Sequence, residues 1–414
     1  MRYVIMDPIG TYASRIMEFL GGLELEAIGV FTSQRNVHAW EARWSRELGH
    51  LTSDVYLATE HDDLEELAAR VEHDWPGGFA GIIPWDEMSI LRGAQLGELL
   101  ELGWNPVRVI ERCRDKHVMK AWLRRTGKVR INASRVVRNA EEALGFQAEL
   151  GRWPIVVKPS ADAGAHFVSF AGNPGELLRG CQQVRENGRG DVLLEEYIAG
   201  DEFAVNGIVD KDGDLLVTDV WYYDKRASHG IANLYYQSIK VGSSEEIFWL
   251  LARYAAAVVE ALELRRSPLH MEVKVDDDGP CLIELGARFA GGDQPVLASK
   301  LHGRSLFELA ACHYLADLPV TAMDVHYERY DSLEARIISG IQTVEIPRVQ
   351  AVLGLEEVQE LPSFDSIGVL RRPGMPAPQT RDLDTKAYEV YLVHPDPRQV
   401  ARDAHEVRRL LRYV

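Results

Sequence analysis

Two glutamates, Glu272 and Glu284, fall on what reads as the two arms of a single hairpin spanning Ser267 to Gly292. Val273 and Val275 alternate with His270, Glu272 and Lys274, giving one apolar and one polar face. On the return arm Leu282, Glu284 and Gly286 share a face. A loop of Asp277, Asp278 and Gly279, with glycine at the left-handed position, makes a three-residue hairpin connection. In that register Asp276 lies opposite Pro280, Glu272 opposite Glu284 and His270 opposite Gly286. Directly opposed carboxylates have Cβ atoms about 5 Å apart and destabilise a sheet. At an effective dielectric near 20 their repulsion is roughly 3 kcal/mol. A hard divalent cation such as Mg²⁺, which accepts one or two carboxylates together with phosphate oxygens, would turn that cost into a binding site. The competing reading is an exposed hairpin whose acids are solvated or paired with Lys274 and Arg288, and the hairpin alone does not decide between the two.

The elements that would position such a site need more than one compact core, because the chain has 414 residues. A net charge of −17 argues against nucleic acid or an anionic membrane as the main partner. It leaves room for a phosphorylated ligand in a local basic pocket. Cys113, Cys181, Cys281 and Cys312 form no metal-spaced pair and read as reduced thiols of a cytoplasmic protein. The opening residues lack the long apolar core of a signal peptide, and the most apolar helix, Phe248 to Leu264, is interrupted by Arg253 and Glu260.

Residues 1–104 alternate short apolar strands (Tyr3 to Met6, Ala27 to Phe31, Gly81 to Ile83) with helical patterns, as in a parallel, doubly wound α/β unit. Asp7 and the run Pro84 to Glu87 fall at strand carboxyl ends, where such sheets bind ligands. Neither a GxGxxG nor a GxxxxGK[ST] motif occurs. Glu87 reads first as an acid complementing a helix N-terminus. A helix from Arg108 to Thr126 carries Arg114, Asp115, Lys116 and Met119. A strand ending on Lys158 runs into the small residues Ser160 to Gly164, which allow close backbone approach to a phosphate. A strand from Val192 to Tyr197 ends in Glu195 and Glu196, and Glu202 follows a turn at Gly200. Asp224 to Gly230, including Lys225, reads as a loop, either a flap over a ligand or plain surface.

The order Arg-Asp-Lys-x-x-Met, strand-Lys-Pro with a small-residue loop, Glu-Glu-Tyr-Ile-x-Gly-x-Glu and His-x-Glu…Ile-Glu-x-Gly-x-Arg resembles the ATP-grasp superfamily, and within it the L-amino-acid ligases. The resemblance implies α/β plus α+β architecture: an N-terminal doubly wound domain (1–104), an ATP-grasp core (105–330, with lobes 105–190 and 191–330) and a small C-terminal domain (331–414). It implies that Lys116 and Lys158 contact ATP phosphates, covered by the loop from Ser160 to Gly164. Glu195 and the backbone of Glu196, Tyr197 and Ile198, taken as an edge strand, would hold the adenine, and Glu202 the ribose hydroxyls. Glu272 and Glu284 would hold Mg²⁺, with Mn²⁺ as a substitute, and Arg288 would stabilise the acyl phosphate and the tetrahedral intermediate. The position that carries a third metal ligand, asparagine, in many relatives is Gly286 here, read as room for a substrate. His270, Gly286, Glu87 and Lys225 are the candidate substrate residues, while His394 is given no role. The implied activity joins a carboxylate, such as an amino acid, to an amine through an acyl phosphate, in a protein that relatives suggest is a homodimer. The alternatives are an ATP-grasp carboxylase or purine-pathway type of ligase, and a nucleotide-binding module without catalysis.

Overall fold

The computed structural model describes residues 2–161, 164, 166–188, 190–315 and 325–414. At the N-terminus four parallel strands lie in the order Thr52–Leu57, Glu26–Phe31, Arg2–Met6, Ile82–Ile83. Sequence periodicity missed the first of these, whose residues are half exposed and carry no continuous apolar run. The chain builds outward from Arg2–Met6 in one direction and then crosses to its other side, so the crevice between Arg2–Met6 and Ile82–Ile83 is a topological switch point. Asp7 and Trp85 meet there, the indole N–H donating to the Asp7 carbonyl at 2.9 Å.

The expected long basic helix is two helices, Val107–Arg114 and Lys116–Thr126. Asp115 breaks it with extended backbone, and its carboxylate accepts from the backbone N–H groups of His117 and Val118. That cap satisfies donors the new helix start would otherwise leave open. It also places Lys116 at the first helical position.

A second sheet is antiparallel, ordered Ser134–Val136, Val192–Glu196, Ile155–Pro159, Ser169–Ala171. Val192–Glu196 is therefore an interior strand bonded on both sides, correcting the edge-strand reading.

The largest sheet has eight strands, in the order Gly279–Gly286, Ser267–Asp276, Asp201–Val209, Leu215–Ser228, Ile231–Val241, Glu334–Ser339, Tyr388–His394, Phe364–Leu370. Helix Glu246–Leu262 packs on it through Phe248, Leu251, Ala255, Val258, Val259 and Leu262, all buried at helical spacing. The segment Asp224 to Gly230 is not a loop: strand Leu215–Ser228 continues through Lys225 and turns only at His229 and Gly230, both at positive φ. Glu334–Ser339 bonds directly to Ile231–Val241, so the C-terminal strands extend the same sheet. Gly200 lies at φ +108, and a Cβ there would stand 2.2 Å from the Val275 carbonyl oxygen. Only glycine lets this turn pack against the acid hairpin.

Candidate active site

The hairpin Ser267–Asp276/Gly279–Gly286 pairs Glu272 with Glu284 and His270 with Gly286, as the sequence suggests, by a different route. The loop is two residues, Asp277 and Asp278, because Asp276 pairs with Gly279 and Val273 with Leu282. An irregularity after Glu272 then inserts Ile283 as an unpaired extra residue and restores the expected pairing. The bulge changes the faces: Leu282 is buried in the core with Met271 and Val273, whereas Ile283 and Glu284 both line the cavity. The sequence reading had Leu282 and Glu284 on one face and did not assign Ile283 to the site.

That cavity, of about 560 Å³, lies between the hairpin and the smaller antiparallel sheet. Lys116, Lys158, Glu272, Glu284 and Arg288 all line it. Burial raises the Glu272 carboxyl, and the facing Glu284 charge raises it further, to about 7. The Tyr235 hydroxyl donates to Glu272 Oε1 at 3.1 Å. Burial also opposes the charge on Glu284, but Lys116 at 3.1 Å, with Lys158 and Arg288, outweighs it and holds that carboxyl near 2. The two acids thus differ because Lys116, Lys158 and Arg288 outweigh burial at Glu284, whereas Lys225 does not outweigh burial and the facing charge at Glu272.

The Lys116 backbone N–H donates to the Ser160 carbonyl at 3.0 Å. Ser160 is buried, and its hydroxyl donates to Asp115 at 3.0 Å while accepting from the Asp191 N–H at 3.2 Å. It braces two segments instead of covering a ligand. Asp162 and Ala163 of the expected phosphate loop lie outside the described residues. Gly164 lines the cavity, and its carbonyl accepts from the Leu383 N–H at 3.4 Å.

Glu195 is 2% exposed and bonded to two lysines, Lys120 at 2.6 Å and Lys158 at 2.9 Å. Lys120, wholly buried and also bonded to Asn132, was not anticipated; it sits one helical turn after Lys116, the only sequence signal available. Glu196 turns away: its carboxylate accepts from the Ala133 N–H and pairs with Arg152, and its carbonyl accepts from Asn132 at 2.9 Å. Tyr197 and Ile198 continue along the cavity wall. Glu202, expected at a ribose, is bonded to Lys225 at 2.5 Å and lies 3.9 Å from Lys274. Lys225 in turn stands 4.1 Å from the Tyr235 ring.

At the switch point Glu87 bridges Arg114 (3.2 Å) and Arg288 (2.6 Å). The helix-start role belongs to its neighbour Asp86, whose carboxylate accepts from Met88 and Ser89 N–H groups. The space above Gly286 is not open: a Cβ there would meet Glu87 Oε2 at 3.2 Å and Arg288 Cγ at 3.4 Å. Gly286 admits the Glu87–Arg288 pair, which corrects its reading as an entry for substrate. His270 is buried opposite Gly286, and burial together with the Arg288 charge lowers its pKa to about 3.

Among the described residues no three His, Cys, Asp or Glu side chains already converge on one point. Glu284 pairs with Lys116 at 3.1 Å. The facing pair still supplies the hard oxygen donors that Mg²⁺ shares with nucleotide phosphates, so the residues fit that ion. Also among the described residues, no helix is long and apolar enough to cross a membrane.

Two lobes, one with a lysine strand and the other with an acid hairpin, close on one cavity, and residues 151–295 match the family model described as the ATP-grasp domain. The fold agrees over the whole chain. The L-amino acid ligase from Bacillus licheniformis superposes with a TM-score of 0.74 at 18% identity, covering 100% of this chain and 98% of that one. Dapdiamide A synthase of Enterobacter agglomerans is 28% identical over 267 residues, 63% of this chain and 61% of its own. The 2-oxoglutarate carboxylase small subunit of Hydrogenobacter thermophilus is 34% identical over 228 residues, 51% of this chain and 46% of its own. The chain therefore spans less than two thirds of the length of each of these two curated relatives.

Proposed function

We propose that this protein is an ATP-dependent carboxylate–amine ligase acting on amino-acid-like substrates. The observation that carries the reading is the opposition, across one cavity, of Lys116 and Lys158 to the Glu272–Glu284 pair with Arg288 beside them. The similarity to Dapdiamide A synthase and to an L-amino acid ligase supports the choice of substrates.

In this reading Lys116 and Lys158 hold the phosphates, and Tyr197, Ile198 and Ile283 form the walls of the base pocket. Glu195, with both lysines bound to it, fixes Lys158 in place. A substrate carboxylate oxygen attacks the γ-phosphorus; the bond from that phosphorus to the bridging oxygen breaks, and ADP leaves. An amine then adds to the acyl carbon, phosphate departs with its oxygen, and the nitrogen loses a proton. Mg²⁺ held by Glu272 and Glu284 would offset charge on the transferring phosphoryl group. Arg288, fixed through Nε by Glu87 and through Nη1 by the Phe289 carbonyl, points a preorganised cation at the acyl centre. Nη2 has no partner among the described residues and is the group available to the oxyanion.

The test is ADP and phosphate release across pairs of amino acids, with product masses read in parallel. A substrate-dependent adduct at the summed mass minus water is expected. ATP turnover that requires bicarbonate and yields a carboxylated product would instead favour the carboxylase reading, which the 34% identity to a carboxylase subunit supports. Absence of ADP release under every pairing would leave a nucleotide-binding module.

A further inference from the structure

His270 Nδ1 lies 2.7 Å from Asn206 Oδ1, Asn206 Nδ2 lies 2.6 Å from Asp219 Oδ1, and Trp221 Nε1 lies 2.5 Å from that same oxygen. All four residues are buried, with Trp221 wholly so. An indole nitrogen can only donate, so Asp219 Oδ1 is an acceptor in this cluster. The Asn206 group facing it must then be the amide NH₂, which leaves the amide oxygen toward His270. That oxygen can only accept, so the His270 proton resides on Nδ1. Nε2 of the neutral ring is left with its lone pair, 3.9 Å from Glu272 Oε1, on the cavity side of the hairpin. Two acceptors facing each other at that range repel unless something positive sits between them.

We infer that His270 Nε2 is the third protein ligand of the divalent cation, replacing the side chain that Gly286 lacks. This rests on the metal role proposed for Glu272 and Glu284. Donors each about 2.1 Å from one octahedral ion lie at most about 4.2 Å apart, so the 3.9 Å separation of His270 Nε2 and Glu272 Oε1 is within reach of a shared ion. The rest of the cluster has the form of an outer shell. A ligating histidine characteristically donates its other ring N–H to a fixed acceptor, which sets the tautomer and the ring plane. Asn206 is that acceptor, and Asp219 and Trp221 hold it in one orientation. An imidazole nitrogen is a softer donor than oxygen, so it favours a transition-series ion such as Mn²⁺ over Mg²⁺.

The test uses the full chain with Mn²⁺ and ADP, read by electron spin-echo modulation. Protein carrying ¹⁵N-labelled histidine should show coupling from one imidazole nitrogen to the bound Mn²⁺. His270→Gln should abolish it and weaken Mn²⁺ binding about tenfold or more. Bound Mn²⁺ with no histidine coupling in the unaltered protein would overturn the inference. So would coupling that survives in a folded His270→Gln protein. His166 is the other histidine lining the cavity; if His270→Gln does not fold, His166→Gln decides, coupling retained there supporting His270 and coupling lost overturning it. Failure of the unaltered protein to bind Mn²⁺ with ADP at all is a separate result, which would overturn the metal role of the acid pair and this inference with it.

Discussion

Replacing Glu195 by glutamine keeps the shape of the side chain and removes the single negative charge shared by Lys120 and Lys158. At contacts of 2.6 and 2.9 Å each attraction is worth about 6 kcal/mol at an effective dielectric of 20, before the cost of burial. Burial opposes ionisation of Glu195, yet the two lysines outweigh it and hold the carboxyl near 2. The same burial wins at Lys120, whose pKa falls to about 8 despite Glu195. Both values move down, which favours the charged form of Glu195 but the neutral form of Lys120, because one carboxylate cannot fully compensate two buried ammonium groups. In Glu195→Gln the lysines lose their shared carboxylate, Lys120 keeping its hydrogen bond to neutral Asn132, and removal of one member from a buried charge cluster costs about 3–5 kcal/mol. Against a total stability of roughly 5–15 kcal/mol, that is a large fraction. The sign with pH follows. Lys120 in the variant is neutral when folded and binds a proton when unfolded, so stability rises with pH up to the unfolded lysine value of about 10.4, by as much as about 1.4 kcal/mol per unit. In the unaltered protein the Glu195 contribution is complete above the unfolded carboxyl value of about 4.3 and is lost as pH falls through about 2. Urea unfolding of the variant and the unaltered protein from pH 7 to 10, followed by tryptophan fluorescence, measures the loss and its slope with pH. Lys120→Met is the control: Glu195 keeps Lys158, no buried charge is orphaned, and the loss should be smaller than that of Glu195→Gln. A Glu195→Gln loss below about 1 kcal/mol, or one independent of pH, would refute the reasoning.

Glu284→Gln should leave the fold intact and lower ligase turnover at least about 10²-fold, measured as ADP release alongside far-UV circular dichroism; near-normal turnover would remove Glu284 from the metal assignment. Gly286→Ala places a methyl 3.2 Å from Glu87 Oε2, so it should loosen the Glu87–Arg288 pair and cut kcat about tenfold with little change in Tm. Gly200→Ala combines φ +108 with a Cβ 2.2 Å from a backbone oxygen, and thermal unfolding should show a loss of at least about 2 kcal/mol.

What the sequence made legible was mostly local. The facing of Glu272 and Glu284 followed from strand alternation and a glycine-bearing turn. The pairing was right although the turn was not, because the Ile283 bulge offsets a loop one residue shorter than expected. Such a bulge leaves no periodic signature, so Ile283 stayed hidden. The break at Asp115 was readable in principle, since Asp-Lys precedes a new amphipathic run, but the basic residues on both sides read as one helix. Long-range charge pairing was illegible altogether. Lys120 and Glu195 are 75 positions apart, and nothing local marks either as half of a buried pair. Glu87, read as a helix-start acid, serves Arg288, 201 positions away. Lys225 looked like loop because Asp224 to Gly230 is polar, whereas its strand is buried on one side by neighbours the sequence does not name.

The continuity of the eight-stranded sheet bears on how such a protein can be recombined. Strand Glu334–Ser339 is hydrogen-bonded to Ile231–Val241 on one side and to Tyr388–His394 on the other. A cut just before it would not free a self-contained module. It would strip one flank from Ile231–Val241 and leave a row of unanswered amide and carbonyl groups, an invitation to aggregate. A chimera that exchanges C-terminal segments between relatives must therefore graft a whole strand register, matched residue by residue at Gln237, Ser238 and Ile239. The seam for engineering specificity lies in side chains lining the cavity, not in the order of the parts.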